Sequence, residues 1–177
     1  MAEEKTMGKL KRSHLLHYID ASFGEGTPNW YLIGKDIEEL AVELNPDTAT
    51  IKNILDETVT NDNGYEPSVS VDTYYANVND SIYEKIKDIA MNRLTGDDCK
   101  TKLLEVIIDN TTGTYSAWQE DVIIKPQSYG GPQGGVNIPF NISFNGNRTK
   151  GTVTITDKKP TFVADTEATT ATTATEE

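Results

Sequence analysis

The chain has 177 residues and a formal net charge of −12, from 28 acidic and 16 basic side chains. A domain of that length buries roughly 70% of the surface its unfolded chain exposes, enough for a real core, while an acidic balance repels phosphate and forgoes the counterion release behind tight nucleic-acid binding. Cys99 is the sole cysteine, which excludes an internal disulfide and a thiolate metal cluster.

In chain order, Lys5, Lys9, Lys11 and Arg12 make residues 1–12 a basic N-terminal arm ahead of a folded domain expected over 13–163. Met1 is followed by charged residues and not by the apolar h-region of a secretory signal, so synthesis in the cytoplasm without export is expected. No apolar run approaches the roughly 18 residues that cross a bilayer. In that setting the sequons at Asn79, Asn110, Asn141 and Asn147 are accidents of composition.

Residues 15–19 read as a short first strand, with His14 and His17 as partly exposed surface histidines. The Gly and Pro content of 24–29 marks a loop, and the aromatic and β-branched 30–33 a strand. Residues 37–44 satisfy two periods at once: Ile37, Leu40, Ala41 and Leu44 fall on one helical face, and Leu40, Val42 and Leu44 alternate as a half-buried strand does. The same ambiguity holds over 48–60, where Ile51, Ile54 and Leu55 could form a helical stripe. Asn61-Asp62-Asn63-Gly64 reads as a turn between strands. A calcium loop with Gly64 in its sixth position would need carboxylates where Val59 and Ser70 stand.

Val69, Val71, Thr73 and Tyr75 alternate with polar neighbours, predicting a strand over 69–76. Ser81-Ile82-Tyr83-Glu84 fits a capping box, Ile82, Ile86, Ile89 and Ala90 form an apolar stripe, and Gly96 is a plausible helix stop. Residues 103–108 and 115–125 then read as two strands joined by a turn at 110–113, with Pro126 ending the second. Val136, Ile138, Phe140, Ile142 and Phe144 alternate cleanly, and Pro139 places that strand at an edge or a bulge. Asn145-Gly146-Asn147 is expected to turn it into a hairpin with 152–156. Residues 164–177, Thr-rich and acidic with no large apolar residue, are expected to be disordered. The sum is a mainly β domain, an antiparallel β-sandwich or partly closed barrel with one flanking α-helix.

Chemistry is sparse. His14 and His17 lack a third ligand nearby, Asp97-Asp98-Cys99 follows a helix end where a polar turn belongs, and the glycine-rich 129–135 lacks the Lys-Ser/Thr of a phosphate loop. No nucleophile, base and orienting acid stand out together, so neither an enzyme nor a cofactor or metal site is expected. Trp30, Tyr31, Tyr65, Tyr74, Tyr75 and Trp118 serve either as core and sheet-face residues or as a stacking surface for sugars or subunits.

Trp30-Tyr31-Leu32-Ile33-Gly34 leading into Ile37-Glu38-Glu39-Leu40, the Asn45-Pro46 turn, Gly64-Tyr65-Glu66-Pro67-Ser68 before the 69–76 strand, and the amphipathic helix over 80–94 carry a resemblance. In the order of its elements over about 30–155, the chain resembles the major tail tube proteins of long-tailed bacteriophages and prophages. The resemblance implies a virion structural protein made in the host cytoplasm, whose hexameric rings stack into a tube, with tail tip, tape measure and tail terminator proteins as partners and DNA passing without specific binding or any membrane. It also implies that 37–44 and 48–60 are strands of one long hairpin. Glu38, Glu43, Asp56 and Glu57 are then candidates for an acidic lumen, and Lys9, Lys11, Arg12, Tyr65 and Tyr129 for assembly contacts in the arm and in loops that order between rings. The rival readings are a tube subunit of a contractile, bacteriocin or secretion machine, and a carbohydrate-binding β-sandwich.

Overall fold

The computed structural model describes residues 8–165. Most of the basic arm over 1–12 and of the tail expected to be disordered over 164–177 therefore lies outside the described residues, although Ala164 ends a strand. In chain order the elements are β1 (Leu15–Asp20), β2 (Trp30–Ile33), β3 (Val42–Glu43), β4 (Pro46–Lys52), β5 (Thr58–Tyr65), β6 (Ser68–Val71), the helix α1 (Tyr83–Asn92), β7 (Lys100–Ile107), β8 (Thr114–Pro126), β9 (Phe140–Phe144), β10 (Thr149–Thr156) and β11 (Lys159–Ala164). Nine strands form one curled antiparallel sheet in the order β2-β1-β7-β8-β9-β6-β3, with β10 and β11 branching from β8; among the described residues β4 and β5 pair only with each other. The domain is mainly β with one flanking helix, as the alternation of its apolar residues implies.

The 13-residue strand β8 organises the sheet. One side pairs with β7 from Ser116↔Ile107 to Ile123↔Lys100. On the other side, Val122 to Pro126 pair with β9 and Thr114 to Gln119 pair with β10. Because β9 and β10 both run antiparallel to β8, they lie end to end, and the expected hairpin at Asn145-Gly146-Asn147 does not form. The Asn145 amide donates to the Asp121 carbonyl at 2.7 Å and the Asp121 amide to the Gly146 carbonyl at 3.0 Å, so the segment stays on β8 and the positive φ of Gly146 and Asn147 makes a bulge. The true hairpin is one turn later: β10 meets β11 across Asp157 and Lys158, both left-handed at φ 50° and 64°, as a two-residue type I′ turn requires.

Since the side-chain period is two, neighbours on β1, β7 and β8 bury to opposite faces. Ile19, Leu103, Val122 and Ile124 join Val69, Val71, Phe140 and Ile142 in a core closed by Ile82 and Ile86 of the helix segment. Tyr18, Leu104, Val106 and Ala117 meet Val153 on the other face, flanked by Trp30, Tyr115 and Phe162. His17, expected at the surface, is only 2% exposed.

Local details depart from expectation for identifiable reasons. Ser81 makes no capping bond; the helix starts from a turn in which the Tyr83 amide donates to the Asp80 carbonyl at 3.1 Å. It ends before Gly96, at Arg93, whose φ of 52° is left-handed and whose amide donates to the Ile89 carbonyl. Pro139 neither makes an edge nor a bulge: β9 begins at the next residue and lies between β8 and β6. The 69–76 strand stops at Val71, and the Asn137 side chain accepts the Tyr74 amide at 2.7 Å in place of a ladder partner. Residues 37–41 are neither helix nor strand, and only Val42 and Glu43 pair with β6.

Candidate assembly surface

The long hairpin is present, but its arms are β4 and β5 and its turn is at 53–57. At about 3.3 Å per residue it reaches roughly 20 Å from its root. Asn61-Asp62-Asn63-Gly64 is no turn: Thr48 pairs with Asp62 and Asp47 with Gly64, so Asn63 is the extra residue of a bulge inside β5. The Asn45 amide fixes the root by donating to the Glu66 carbonyl at 3.1 Å and to Ser68 Oγ at 3.2 Å. At the tip, Asn53 Oδ1 accepts the Leu55 and Glu57 amides at 2.9 and 3.0 Å, and its Nδ2 donates to Glu57 at 2.8 Å.

Those bonds hold Ile54 and Leu55 outward, 101% and 72% exposed. Below them Ile51 and Val59 face each other across the strands, also exposed. Burying one such side chain contributes about 1.5–3 kcal/mol, and isolated two-stranded hairpins are marginal in water. An arm of this kind is suited to completing itself against another molecule.

Of the acidic candidates, Glu38 and Glu43 lie at the hairpin's root with Glu39 and Asp72, along shallow neighbouring depressions. Asp56 and Glu57 are at the tip, where Asp56 lies 3.9 Å from Lys52. The structure therefore separates the four into two pairs. Tyr65 ends β5 and is exposed, as is Tyr129 in the loop before β9. Lys9 and Lys11 are exposed, whereas the Arg12 guanidinium donates to the carbonyls of Leu15 at 2.7 Å and Leu40 at 2.9 Å and belongs to the fold. Tyr74 is core, packed edge-on against Tyr31 and Phe140. Tyr31, half-buried, has its phenol pKa pushed up to about 12, by burial and then by Asp80, whose carboxylate it approaches at 3.4 Å.

A partly buried charge cluster escaped the sequence reading. Arg148 bridges Glu105 at 2.7 Å and Glu120 at 2.8 Å, and Glu105 lies 3.5 Å from His17 Nε2. Burial opposes ionisation of Glu105, yet contacts with His17 and Arg148 outweigh it and hold its pKa below the ordinary carboxylate value. The register pairing His17 with Glu105 is set by tertiary strand pairing and leaves no local signal. Among the described residues, no group of three or more His, Cys, Asp or Glu is placed to hold a metal ion, and no helix is long and apolar enough to cross a membrane.

No protein-family model matches the sequence. No curated protein matches it either. Among solved structures, the SPP1 tail tube, determined by solid-state NMR and cryo-EM, is similar with a TM-score of 0.52 and 17% identity, over 80% of this chain and 78% of that chain. The chain shares the fold of a tail tube subunit. At that identity the likeness is one of fold.

Proposed function

We propose that the chain is the structural subunit of a phage tail tube, forming hexameric rings that stack around a hollow channel. The observation that carries this reading is an apolar-tipped hairpin with no further pairing partner among the described residues, on a tail tube fold. In this reading the tube grows from a tail tip around a tape measure and is closed by a terminator protein, and it acts as a conduit without catalysing a reaction.

The lumen is best supplied by the outward face of β3, β6 and β9. In register across those strands stand Glu43, Ser68 and Ser143, with Ser70 opposite Asn141. Ser70 Oγ donates to Asp72 at 2.7 Å. Small hydroxyls, an amide and carboxylates, joined at the rim by Glu38, give DNA nothing to grip and repel its phosphates within a Debye length of about 8 Å at physiological salt. The nearby Lys125 amine is committed to the Leu94 carbonyl at 3.0 Å. We assign the lumen to Glu38 and Glu43, and not to Asp56 and Glu57 at the far end of the hairpin.

Negative-stain electron microscopy at low and high concentration, beside mass by light scattering, tests the reading. Rings or tubes of uniform width are the expected result. A monomer at every concentration, including in the presence of preformed tail tips, would overturn it.

A further inference from the structure

An asparagine followed by glycine is chemically labile, because a glycine amide carries no side chain to obstruct its closure on the asparagine carboxamide. The chain has two such pairs, Asn63-Gly64 and Asn145-Gly146. Both asparagines are exposed, both glycines have positive φ, and a Cβ on either glycine would meet nothing within 4 Å, so room does not separate them. Hydrogen bonding does. Asn63 Nδ2 donates to Asp47 at 3.1 Å and the Gly64 amide donates to the Asp62 carboxylate at 2.9 Å, which engages both the leaving group and the nucleophile. At the other pair the main chain is anchored on β8 through the Asn145 amide and the Gly146 carbonyl, both bonded to Asp121. The Gly146 amide lies between the β9 and β10 ladders, and among the described residues neither it nor the Asn145 carboxamide makes a hydrogen bond.

We propose that Asn145 is a site of spontaneous deamidation left open by the fold, and that the same fold protects Asn63. The Gly146 nitrogen gives up its proton and bonds to Asn145 Cγ; the Cγ–Nδ2 bond breaks, and the nitrogen departs as ammonia with a proton equivalent to the one released. A five-membered succinimide remains. Water then adds to one of its two carbonyls: opening at Cγ gives an aspartyl residue, and opening at the main-chain carbonyl gives an isoaspartyl residue with one more methylene in the backbone. Water is the sole co-reactant, and the exposure of Asn145 supplies it. Either product adds a carboxylate to a depression where Asp97 and Asp121 now face Lys100 and Lys102. The isoaspartyl form also displaces the Asn145 amide from the Gly146 carbonyl spacing that fits Asp121, the two bonds that keep β9 and β10 end to end on β8. Ageing therefore acts at the joint between the two strands, two residues ahead of Arg148 and its ion pairs to Glu105 and Glu120.

The test incubates the native full-length chain at mildly alkaline pH, folded and in urea, and follows both asparagines by proteolysis and mass spectrometry, with enzymatic methylation of isoaspartate as a second readout. In urea, where native hydrogen bonds are lost, the two pairs are expected to react at similar rates. In the folded chain Asn145 is expected to react at least tenfold faster than Asn63. Equal folded rates, a faster Asn63, or an Asn145 slowed by folding as strongly as Asn63 would overturn the assignment. Asp62→Ala frees the Gly64 amide in an exposed hairpin and should raise the folded rate at Asn63 severalfold; an unchanged rate would show that hydrogen bonding is not what separates the two pairs. The Tm of the aged native chain should fall, whereas Asn145→Gln, whose longer side chain closes its ring far more slowly, should keep its Tm over the same incubation. Equal losses in both would remove the effect on the β9–β10 joint.

Discussion

Arg148 lies where β9 passes into β10, and its guanidinium is the only described cation between two nearly buried carboxylates, Glu105 and Glu120. It also lies over the Trp118 ring at 5.9 Å. Removing one partner of such a group strands charge in a poor solvent. Arg148→Ala should therefore cost about 2–4 kcal/mol in urea unfolding, less than for a fully buried pair because the guanidinium is half exposed. Lysine, without the planar fork, should recover only part of that loss. The pH dependence has a defined sign. Because the folded pKa of Glu105 lies below its ordinary 4.5, its contribution is fully present above that value and disappears as pH falls through the lower folded pKa. Acid titration of the Tm should show this as a loss below about pH 4.5 that Glu105→Gln reduces. Three residues further on, Gly151 allows the closest approach in the second core: a Cβ there would stand 2.2 Å from the Val163 carbonyl oxygen and 2.7 Å from the Phe162 ring. Gly151→Ala should destabilise by about 1–3 kcal/mol through overpacking, measurable as a lower urea midpoint.

Two elements end on residues that carry backbone strain. Arg93 closes α1 and Lys158 closes the β10–β11 turn, both left-handed with a side chain in place of glycine. Arg93→Gly and Lys158→Gly should each stabilise the fold by about 0.5–1 kcal/mol, relief of left-handed strain exceeding the extra entropy of the unfolded chain. Thermal melts of the single and double variants check this, and additivity is expected because the sites belong to different elements. The β4–β5 hairpin behaves differently. Its hydrogen bonds are solvent-exposed and among the described residues it packs on no third strand, so its amides should exchange early in the monomer and gain protection in the proposed assembly. Deuterium uptake over 46–65 measures both states. Slow exchange in the monomer would mean that the arm is stable by itself.

At the scale of the molecule, each copy of the chain in the proposed tube would bring a charge of −12 to its neighbours. That field opposes stacking until salt screens it, the Debye length falling from about 10 Å at 0.1 M to about 3 Å at 1 M. Raising the salt should lower the concentration at which light scattering first detects assembly, with apolar contact at the hairpin tip supplying the attraction that remains. The opposite trend would show that charge pairs between copies of the chain outweigh the general repulsion. Charge reversal of Glu38 and Glu43 together should leave tubes intact and slow DNA passage, read as delayed ejection in a phage carrying the variant; unaltered ejection would remove the lumen role from these residues.

From the letters alone, a continuous apolar run placed 103–108 in a strand and the return after the 110–113 turn placed 115–125, period-two alternation placed the buried residues Phe140 and Ile142 in a strand, and an apolar stripe placed the helix. Burial is a local requirement on each side chain, so it leaves its mark in local order. The order of elements likewise carried the resemblance to a tail tube, and the solved structure that matches in fold agrees with it. What neighbours decide was not legible. Asn145 to Arg148 has the composition of a turn, but two hydrogen bonds to Asp121 keep it on β8 as a bulge; Asn63 and Gly64 are a bulge for the same reason, because β4 pairs past them. Asp157 and Lys158 make a tight hairpin that their residue types do not announce, since the β10–β11 pairing imposes the left-handed backbone. The His17–Glu105–Arg148–Glu120 cluster joins residues more than a hundred positions apart, and only the register of β1 on β7 and β7 on β8 brings them together. The sequence by itself determined which residues leave water; the tertiary structure decided which strands they meet, because register is a property of pairs of strands and not of either one.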